Sequence, residues 1–253
     1  MSDTTGIGWT DSTWNPWYGC TKVSPGCAHC YMFREQIRYG RDPELVTRSK
    51  TKFTDPLRWK DGRMVFTCSW SDWFHEAADA WREEAWDIIR RTPQHTYQIL
   101  TKRPERIAEH LPRDWGNGYA NVWLGVSVEN QRHAYRADML CDVPAQVRFV
   151  SAEPLLGPVT LAFNGTVSGR AIIPIVLIDW VIVGGESGAD ARPMREEWAR
   201  SLRDECQHYG TAFFLKQLGG HPDARAHDKA VLDGRTWTEF PSAAVSLPGD
   251  EQP

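Results

Sequence analysis

Three cysteines lie within eleven residues near the start of the chain, as Cys20, Cys27 and Cys30 in the spacing C-x6-C-x2-C. Thiolates are soft ligands that select iron–sulfur clusters or zinc, and a C-x2-C pair lets two sulfurs converge on one centre. Pro25 and Gly26 are typical of a turn that brings Cys20 back towards that centre. Three thiolates would leave one iron of a cubane cluster without a protein ligand, and such an open position indicates a catalytic centre.

Zinc is the alternative metal for the same thiols. A structural zinc site needs four ligands in a tetrahedron, and either His29 or Cys68 would supply the fourth. His29 lies between Cys27 and Cys30, an awkward place from which to share their metal. Cys68 is far along the chain but ends a predicted strand, so it could approach. The spacing favours iron–sulfur and leaves zinc open.

Polar residues follow a series of predicted strands, at the places where barrels and open α/β sheets bind their ligands. Acidic, basic and hydroxyl side chains at the carboxyl ends of strands are what a polar, charged ligand requires. We therefore expect one pocket to be surrounded by Cys68, Trp70, Asp72, Lys102, Arg103, Ser127, Glu129, Glu153, Gly184, Gly185, Glu186 and Lys216.

The strands that carry these residues are short apolar runs, spaced by roughly thirty residues, which is the length of a βαβ unit. They span residues 64–68, 96–100, 122–126, 148–150, 180–183 and 212–215. Helical patterns occupy residues 31–39, 77–91, 104–111, 130–140 and 193–209.

This alternation predicts an α/β fold in which a parallel sheet with helices outside it forms a partial or full (β/α) TIM-like barrel. A further strand or extended segment is expected near residues 7–9. A doubly wound open sheet is the rival, because periodicity does not give the order of the strands. We expect a hairpin-like excursion within residues 155–178 and a small hairpin around Asp-Gly within residues 232–237. Residues 1–241 are expected to form a single domain, and residues 242–253 a disordered tail.

The composition is that of an ordinary globular protein, with 41% hydrophobic and 25% charged residues among 253. With a net charge of −4, no strongly basic field draws the whole protein to nucleic acid. The longest apolar run, residues 171–183, contains Pro174 and Asp179 and is too short to span a membrane. The first residues, MSDTTGIGWTDSTW, show no secretory signal. We expect a cytoplasmic protein with no membrane association.

Residues 7–20, IGWTDSTWNPWYGC, together with the two cysteines that follow, resemble the phage-encoded three-Cys-motif proteins. That family looks like an outlying branch of the radical SAM superfamily. The resemblance covers the chain to about Pro241 and continues through residues 69–74, 100–104, 125–130, 151–155 and 183–188.

The resemblance implies a partial barrel of the radical SAM type with an N-terminal cluster-binding loop. It also implies that Cys20, Cys27 and Cys30 hold a [4Fe–4S] cluster. Reductive cleavage of S-adenosyl-L-methionine would then give a 5′-deoxyadenosyl radical that takes a hydrogen from the substrate. The usual spacing in that superfamily is C-x3-C-x2-C, so the first gap here is longer. Its Gly-Gly-Glu motif lies near the second strand, whereas residues 184–186 follow a late strand.

The same resemblance assigns roles to the polar ring. Contacts to the cofactor are expected from Ser127, Glu129, Glu153, Gly184, Gly185 and Glu186. The catalytic candidates are Lys102 and Cys68, the latter as a hydrogen donor to a product radical. Substrate contacts are expected from Trp70, Asp72, Arg103 and Lys216, and either Lys102 or Lys216 suits a carboxylate or phosphate. A base could stack on Trp14, Trp17, Trp70 or Trp73.

Because proteins of this family often occur in phage genomes, we expect a nucleotide or DNA substrate. An example is an amino-acid-modified thymidine in DNA hypermodification, which would make the protein an isomerase or another nucleotide-modifying enzyme in the host cytoplasm. An electron donor is an expected partner. Two rival functions stay open: a zinc-binding module associated with nucleic acid, and a zinc-dependent hydrolase or transferase that uses the acidic residues of the ring.

Overall fold

The computed structural model describes residues 4–188, 190–220 and 230–242. In chain order its helices and strands are β1 (Ser12–Trp14), β2 (Trp17–Tyr18), α1 (Tyr31–Arg38), β3 (Thr47–Arg48), β4 (Met64–Thr67), α2 (Asp79–Arg91), β5 (Thr96–Thr101), β6 (Val122–Ser127), α3 (Tyr135–Cys141), β7 (Val147–Ala152), β8 (Gly165–Val167), β9 (Arg170–Ile172), β10 (Trp180–Gly184), α4 (Glu196–Tyr209), β11 (Ala212–Gln217), β12 (Val231–Leu232) and β13 (Arg235–Thr236).

Seven strands form one parallel sheet in the order β1-β4-β5-β6-β7-β10-β11. Each strand of this sheet pairs with the strand of the same sheet that comes before it along the chain, so the order never reverses. A doubly wound sheet contains a point where the order reverses, and that rival is therefore excluded. No pairing joins β1 to β11 within the described ranges. The result is a half-barrel sheet, in agreement with the predicted partial barrel.

Both faces of this sheet are buried, as expected for parallel strands with helices outside. Because successive strand residues point to opposite faces, alternate positions belong to different clusters. The outer face shares one large core with α2, α3 and α4, through Val65, Ile99, Leu124, Val150, Val181 and Leu215. The inner face has a separate cluster, which we call the aromatic floor: Trp9, Phe66, Trp123, Phe149, Trp180 and Phe214.

Edge-to-face packing holds the aromatic floor together. The Trp180 ring centroid lies 6.2, 5.8 and 6.1 Å from those of Trp9, Trp123 and Phe214, each at a near-perpendicular angle. Such pairs stabilise beyond the area that they bury. Glycine at position 125 allows the Phe149 ring to pack directly against the β6 backbone, because a Cβ there would overlap that ring. The floor therefore fills the amino-terminal end of the half-barrel.

A strand precedes β4 in the sheet, as expected, but its predicted position near residues 7–9 is wrong. Those residues form a turn, and the first strand, β1, begins at Ser12. Trp9 is buried against Phe66, with ring centroids 4.8 Å apart. Its carbonyl oxygen accepts a hydrogen bond from Gln98 Nε2 at 3.1 Å. The segment thus serves to place a large aromatic side chain in the floor, and the strand lies beyond it.

The six predicted strands are confirmed, each to within two residues, as β4, β5, β6, β7, β10 and β11. The helices predicted over residues 31–39, 77–91 and 193–209 are α1, α2 and α4. Helix α4 ends at Tyr209 and is followed by Gly210, whose φ of 74° is the left-handed conformation that favours glycine after a helix.

Two helix predictions differ from the structure. Residues 104–111 form two single 3₁₀ turns, Pro104–Arg106 and Ala108–His110. The Arg106 side chain donates to the Phe74 carbonyl oxygen at 2.7 Å, so tertiary contacts hold this segment. In the segment over residues 130–140 the α-helix begins only at Tyr135, after another 3₁₀ turn.

Both predicted hairpins are present. Strands β8 and β9 pair within the excursion over residues 155–178, and β12 and β13 pair around Asp233-Gly234. Of the tail over residues 242–253, only Ser242 is among the described residues, and the rest of that prediction lies outside them. In the described ranges no helix combines the length and the apolar character that are needed to cross a membrane.

Candidate functional site

A cavity of about 490 Å³ lies over the aromatic floor, at the carboxyl ends of the sheet strands. The structure therefore brings together the three clustered cysteines and most of the predicted polar ring. Among the predicted site residues, Glu129 and Gly184 do not line the cavity. Those that do are Cys20, Cys27, Cys30, Cys68, Trp70, Asp72, Lys102, Arg103, Ser127, Glu153, Gly185, Glu186 and Lys216.

The cysteine loop, residues 20–30, forms part of the cavity wall. It contains the 3₁₀ turn Pro25–Cys27, and α1 begins directly after Cys30. The three thiols are free and line one cavity, so the donor type suits a metal that thiolates bind. In the part of the chain that the structure describes, no three His, Cys, Asp or Glu side chains are arranged to hold a metal ion. Ligation would therefore require the cysteine side chains to turn towards a common point.

The first anchor of the cysteine loop is Arg103, just after β5. Its guanidinium donates to the carbonyl and hydroxyl oxygens of Thr21 at 3.1 and 2.7 Å and lies 3.7 Å from Cys20 Sγ. Asp72 pairs with that guanidinium at 3.2 Å and accepts the Lys102 backbone N–H at 3.0 Å. Burial and the Asp72 charge raise the pKa of Cys20 to about 12, against the opposing effect of Arg103. Asp72 and Arg103, predicted as substrate contacts, thus have their polar groups engaged in supporting the loop.

The second anchor is Glu129, which follows β6 and is fully buried. Its carboxylate accepts hydrogen bonds from the Ser24 hydroxyl and, at 3.0 Å, from Arg136. Burial raises the pKa of Glu129, but the charges of Lys102 and Arg136 and the Ser24 hydrogen bond hold it below its usual value. A Cβ at Gly26 would lie 2.5 Å from Glu129 Cγ, so glycine permits this close approach. Glu129, predicted as a cofactor contact, instead holds the loop from outside the cavity.

The third anchor is Glu186, which follows β10. Arg192 donates to both of its carboxylate oxygens, at 2.5 and 2.9 Å, and His29 Nδ1 lies 3.1 Å away. Arg192 also donates to the Pro25 carbonyl oxygen in the loop, at 3.0 Å. Although burial raises the pKa of Glu186, the hydrogen bonds from Arg192 and His29 lower it to about 2. The loop is therefore tied to the ends of three strands, β5, β6 and β10.

On the side of the cavity formed by the later strands, Glu153, just after β7, forms an ion pair with Lys216 of β11. The register of β10 against β11 shifts after Val183, beside Lys216, and such bulges redirect side chains. A Cβ at Gly185 would overlap the Leu218 carbonyl oxygen. The glycine thus lets two stretches of backbone approach each other. It also lines the cavity, and its contact with a cofactor stays a prediction.

The comparison with known proteins identifies a family for this chain. The sequence model of a family described as a protein of unknown function (DUF5131) matches residues 4–241, nearly the whole length. The chain belongs to the DUF5131 family. No curated protein and no solved structure matches it.

Cys68 of the DUF5131 chain lies at the end of β4 in left-handed backbone, with a φ of 56°. Such a conformation is uncommon for any residue except glycine. The backbone N–H donates to the Trp14 carbonyl oxygen at 2.8 Å, which helps to hold it. Burial and the Asp72 charge raise the pKa of the Cys68 thiol well above its usual value. The Cys68 thiol therefore keeps its proton on the cavity wall, and its role as a hydrogen donor stays a prediction.

The four tryptophans expected beside the site are not equivalent. Trp70 lines the cavity and is partly exposed. The other three, Trp14, Trp17 and Trp73, are buried in the core, and the Trp17 and Trp73 ring centroids lie 5.1 Å apart. Of the four, only Trp70 has a ring available to a ligand.

The sequence analysis did not identify the two arginines that pair with the carboxylates of the second and third anchors. Arg136 lies on the buried side of α3, seven residues after Glu129. An arginine among apolar helix positions needs a carboxylate partner when buried, and this signal could have found it. Arg192 comes six residues after Glu186 in a segment without secondary structure, where no pattern indicates its role.

Proposed function

We propose that this protein is a radical S-adenosylmethionine enzyme that holds a [4Fe–4S] cluster on Cys20, Cys27 and Cys30. The observation that carries the proposal is the position of all three cysteines on the wall of one cavity at the carboxyl ends of a half-barrel sheet. Barrel enzymes bind their ligands at that edge. The volume of about 490 Å³ falls within the roughly 300–1,000 Å³ typical of small-molecule sites.

When bound, the cluster would offer one iron to S-adenosylmethionine and supply the electron that cleaves it. The residues of the chain position the ligands and shield the site. The three anchors fix the backbone of the cysteine loop, so that rotation of the three side chains is what remains for ligation. The aromatic floor closes the amino-terminal end of the half-barrel and excludes water from that side. The carboxylate of Glu153 and the ammonium of Lys216 suit an amino-acid moiety.

The substrate that we propose is a nucleotide, such as an amino-acid-modified thymidine in DNA. The reaction would be an isomerisation or another modification of that nucleotide. The partly exposed Trp70 ring on the cavity wall supports the proposal, because aromatic side chains stack on bases of any sequence. An electron donor is the required partner, because the cluster must be reduced before each cleavage.

Anaerobic reconstitution with iron and sulfide tests the proposal. We expect a brown protein with about four irons and four sulfides per chain that forms 5′-deoxyadenosine from S-adenosylmethionine under reductant. Cys27→Ala should lose the iron and keep its melting temperature. Cys206→Ala is the matched control, since that buried thiol lies in α4 and not on the cavity wall. A colourless protein with stoichiometric zinc, or full iron in Cys27→Ala, contradicts the proposal.

A zinc centre is the second candidate, because Cys68 lines the same cavity as the three clustered cysteines. Four thiols are then available for a tetrahedral site. Cys68→Ala separates the two candidates. It should lose metal if zinc is bound by four cysteines, and it should keep its iron if the cluster uses only the cysteine loop.

A further inference from the structure

Lys102, Ser127 and Ser151 form a row across three neighbouring strands. The pairing of Thr101 with Val126 places Lys102 beside Ser127, and Ser127 pairs with Ser151. Adjacent strands lie roughly 4.8 Å apart, and all three side chains line the cavity. Lys102 Nζ donates to the Ser127 hydroxyl at 3.0 Å. The row therefore presents one ammonium and two hydroxyl groups to the same part of the cavity.

The charge of Lys102 differs from the other charges on the cavity wall. Each carboxylate there has a cationic partner, in the pairs Asp72–Arg103, Glu153–Lys216 and Glu186–Arg192. Among the described residues, by contrast, no carboxylate oxygen lies within 4.0 Å of Lys102 Nζ. Lys102 is therefore the cation on this wall that forms no direct ion pair with a carboxylate of the described residues.

The remaining contacts of the row concern Glu129, which lies near Lys102, and the hydroxyl group of Ser151. The Lys102 charge lowers the pKa of the Glu129 carboxyl, but this carboxylate lies outside the cavity and already accepts hydrogen bonds from Ser24 and Arg136. The Ser151 hydroxyl has no hydrogen-bond partner within the described ranges, although the residue is buried. An ammonium and a hydroxyl are thus left to serve a ligand.

We propose that the row of Lys102, Ser127 and Ser151 binds an oxyanion, the carboxylate or phosphate of the molecule that occupies the cavity. An ammonium flanked by hydroxyl donors forms charge-assisted hydrogen bonds with such a group. The proposal rests on the proposed function only in taking this cavity as the ligand site. It requires neither the cluster nor its chemistry.

Calorimetric titration of the metal-free, full-length protein tests this site. The affinities for adenosine 5′-monophosphate and adenosine are compared to test recognition of a phosphate. The affinities for S-adenosylmethionine and its decarboxylated form, which keeps the sulfonium and the amine, are compared to test recognition of a carboxylate. Inorganic phosphate serves as the anion alone. In at least one pair, we expect the member that carries the phosphate or carboxylate to bind more tightly. Lys102→Met should weaken that binding by about 10- to 100-fold and leave the affinity for the other member of the pair unchanged.

Control variants keep the result interpretable. Lys60→Met changes an exposed lysine away from the cavity and should bind as the unaltered protein does. Lys102→Arg keeps the charge and should retain most of the affinity. Ser151→Ala, a smaller change, should weaken binding and serves as the test if Lys102→Met does not fold.

Two results overturn the proposal. One is equal affinity of Lys102→Met and the unaltered protein for every probe that carries a phosphate or carboxylate, at an unchanged melting temperature. The other is failure of the unaltered protein to bind any probe that carries a phosphate or carboxylate. If anions bind through Lys102 but reconstitution yields no iron, the oxyanion site stands and the radical enzyme is refuted. The two proposals therefore fail separately.

Discussion

Arg192→Met removes the cationic partner of a buried carboxylate in the third anchor. Glu186 is 5% exposed, and its pKa is about 2 against an ordinary 4.5. At about 1.4 kcal/mol for each tenfold change in proton affinity, this difference corresponds to about 3 kcal/mol. Water screens part of it, because the Arg192 side chain is 31% exposed, and His29 supplies another part. We expect the variant to lose about 1–3 kcal/mol of unfolding free energy at neutral pH.

The pH dependence of the same variant has a definite sign. The pKa of Glu186 is lower in the folded state, so its stabilising contribution is fully present above the unfolded value of 4.5 and is lost as pH falls through about 2. The unaltered protein should therefore lose stability more steeply than Arg192→Met as the pH falls through that window.

Urea unfolding followed by tryptophan fluorescence at a series of pH values measures both effects. Arg170→Met is the matched control, because Arg170 is exposed in the β8–β9 hairpin and forms no ion pair within the described ranges. Equal unfolding free energies at neutral pH, with parallel profiles in acid, would refute the reasoning about this anchor.

Three further substitutions test other parts of the structure by urea unfolding. Gly125→Ala should cost about 1–3 kcal/mol, because its methyl group would overlap the Phe149 ring, and an unchanged midpoint would contradict the packing of the aromatic floor. Arg103→Met leaves the Asp72 carboxylate buried without its partner and should cost about 3–5 kcal/mol. Arg103→Lys should recover part of that loss. No recovery would contradict the claim that the charge of Arg103 stabilises the buried Asp72 carboxylate. Gly210→Ala places a Cβ in left-handed backbone at the end of α4 and should cost about 1–2 kcal/mol.

The sheet could be predicted from the sequence because its strands leave a local signature. A parallel strand that is buried on both faces is a short apolar run, as in residues 180–184, and a helical pattern must follow before the next strand. The polar residue at the end of each run predicts the edge at which the cavity lies. Lys102 and Glu153 were found in this way, without knowledge of the order of the strands.

Partners within the site could not be predicted, because they depend on contacts between distant segments. Ser24 and Glu129 are 105 residues apart, and nothing local indicates that they meet. Glu129 was therefore assigned to a cofactor when its carboxylate is occupied by the protein. Trp9 presents a related difficulty, since a side chain that fills the end of a half-barrel shows no periodicity. The sequence predicts which residues gather at the cavity, and only the fold shows which of them are free.

The three-point attachment of the cysteine loop has a consequence for how its variants combine. Arg103, Glu129 and Glu186 restrain one short segment from three separate strands. When one of these contacts is removed, the backbone of the loop samples more conformations, and the two remaining contacts then restrain it less effectively. The energetic penalties of removing them will then not sum, although the three residues are far apart in sequence. The loop behaves as a single thermodynamic unit, whose rigidity is a shared property of the three strand ends.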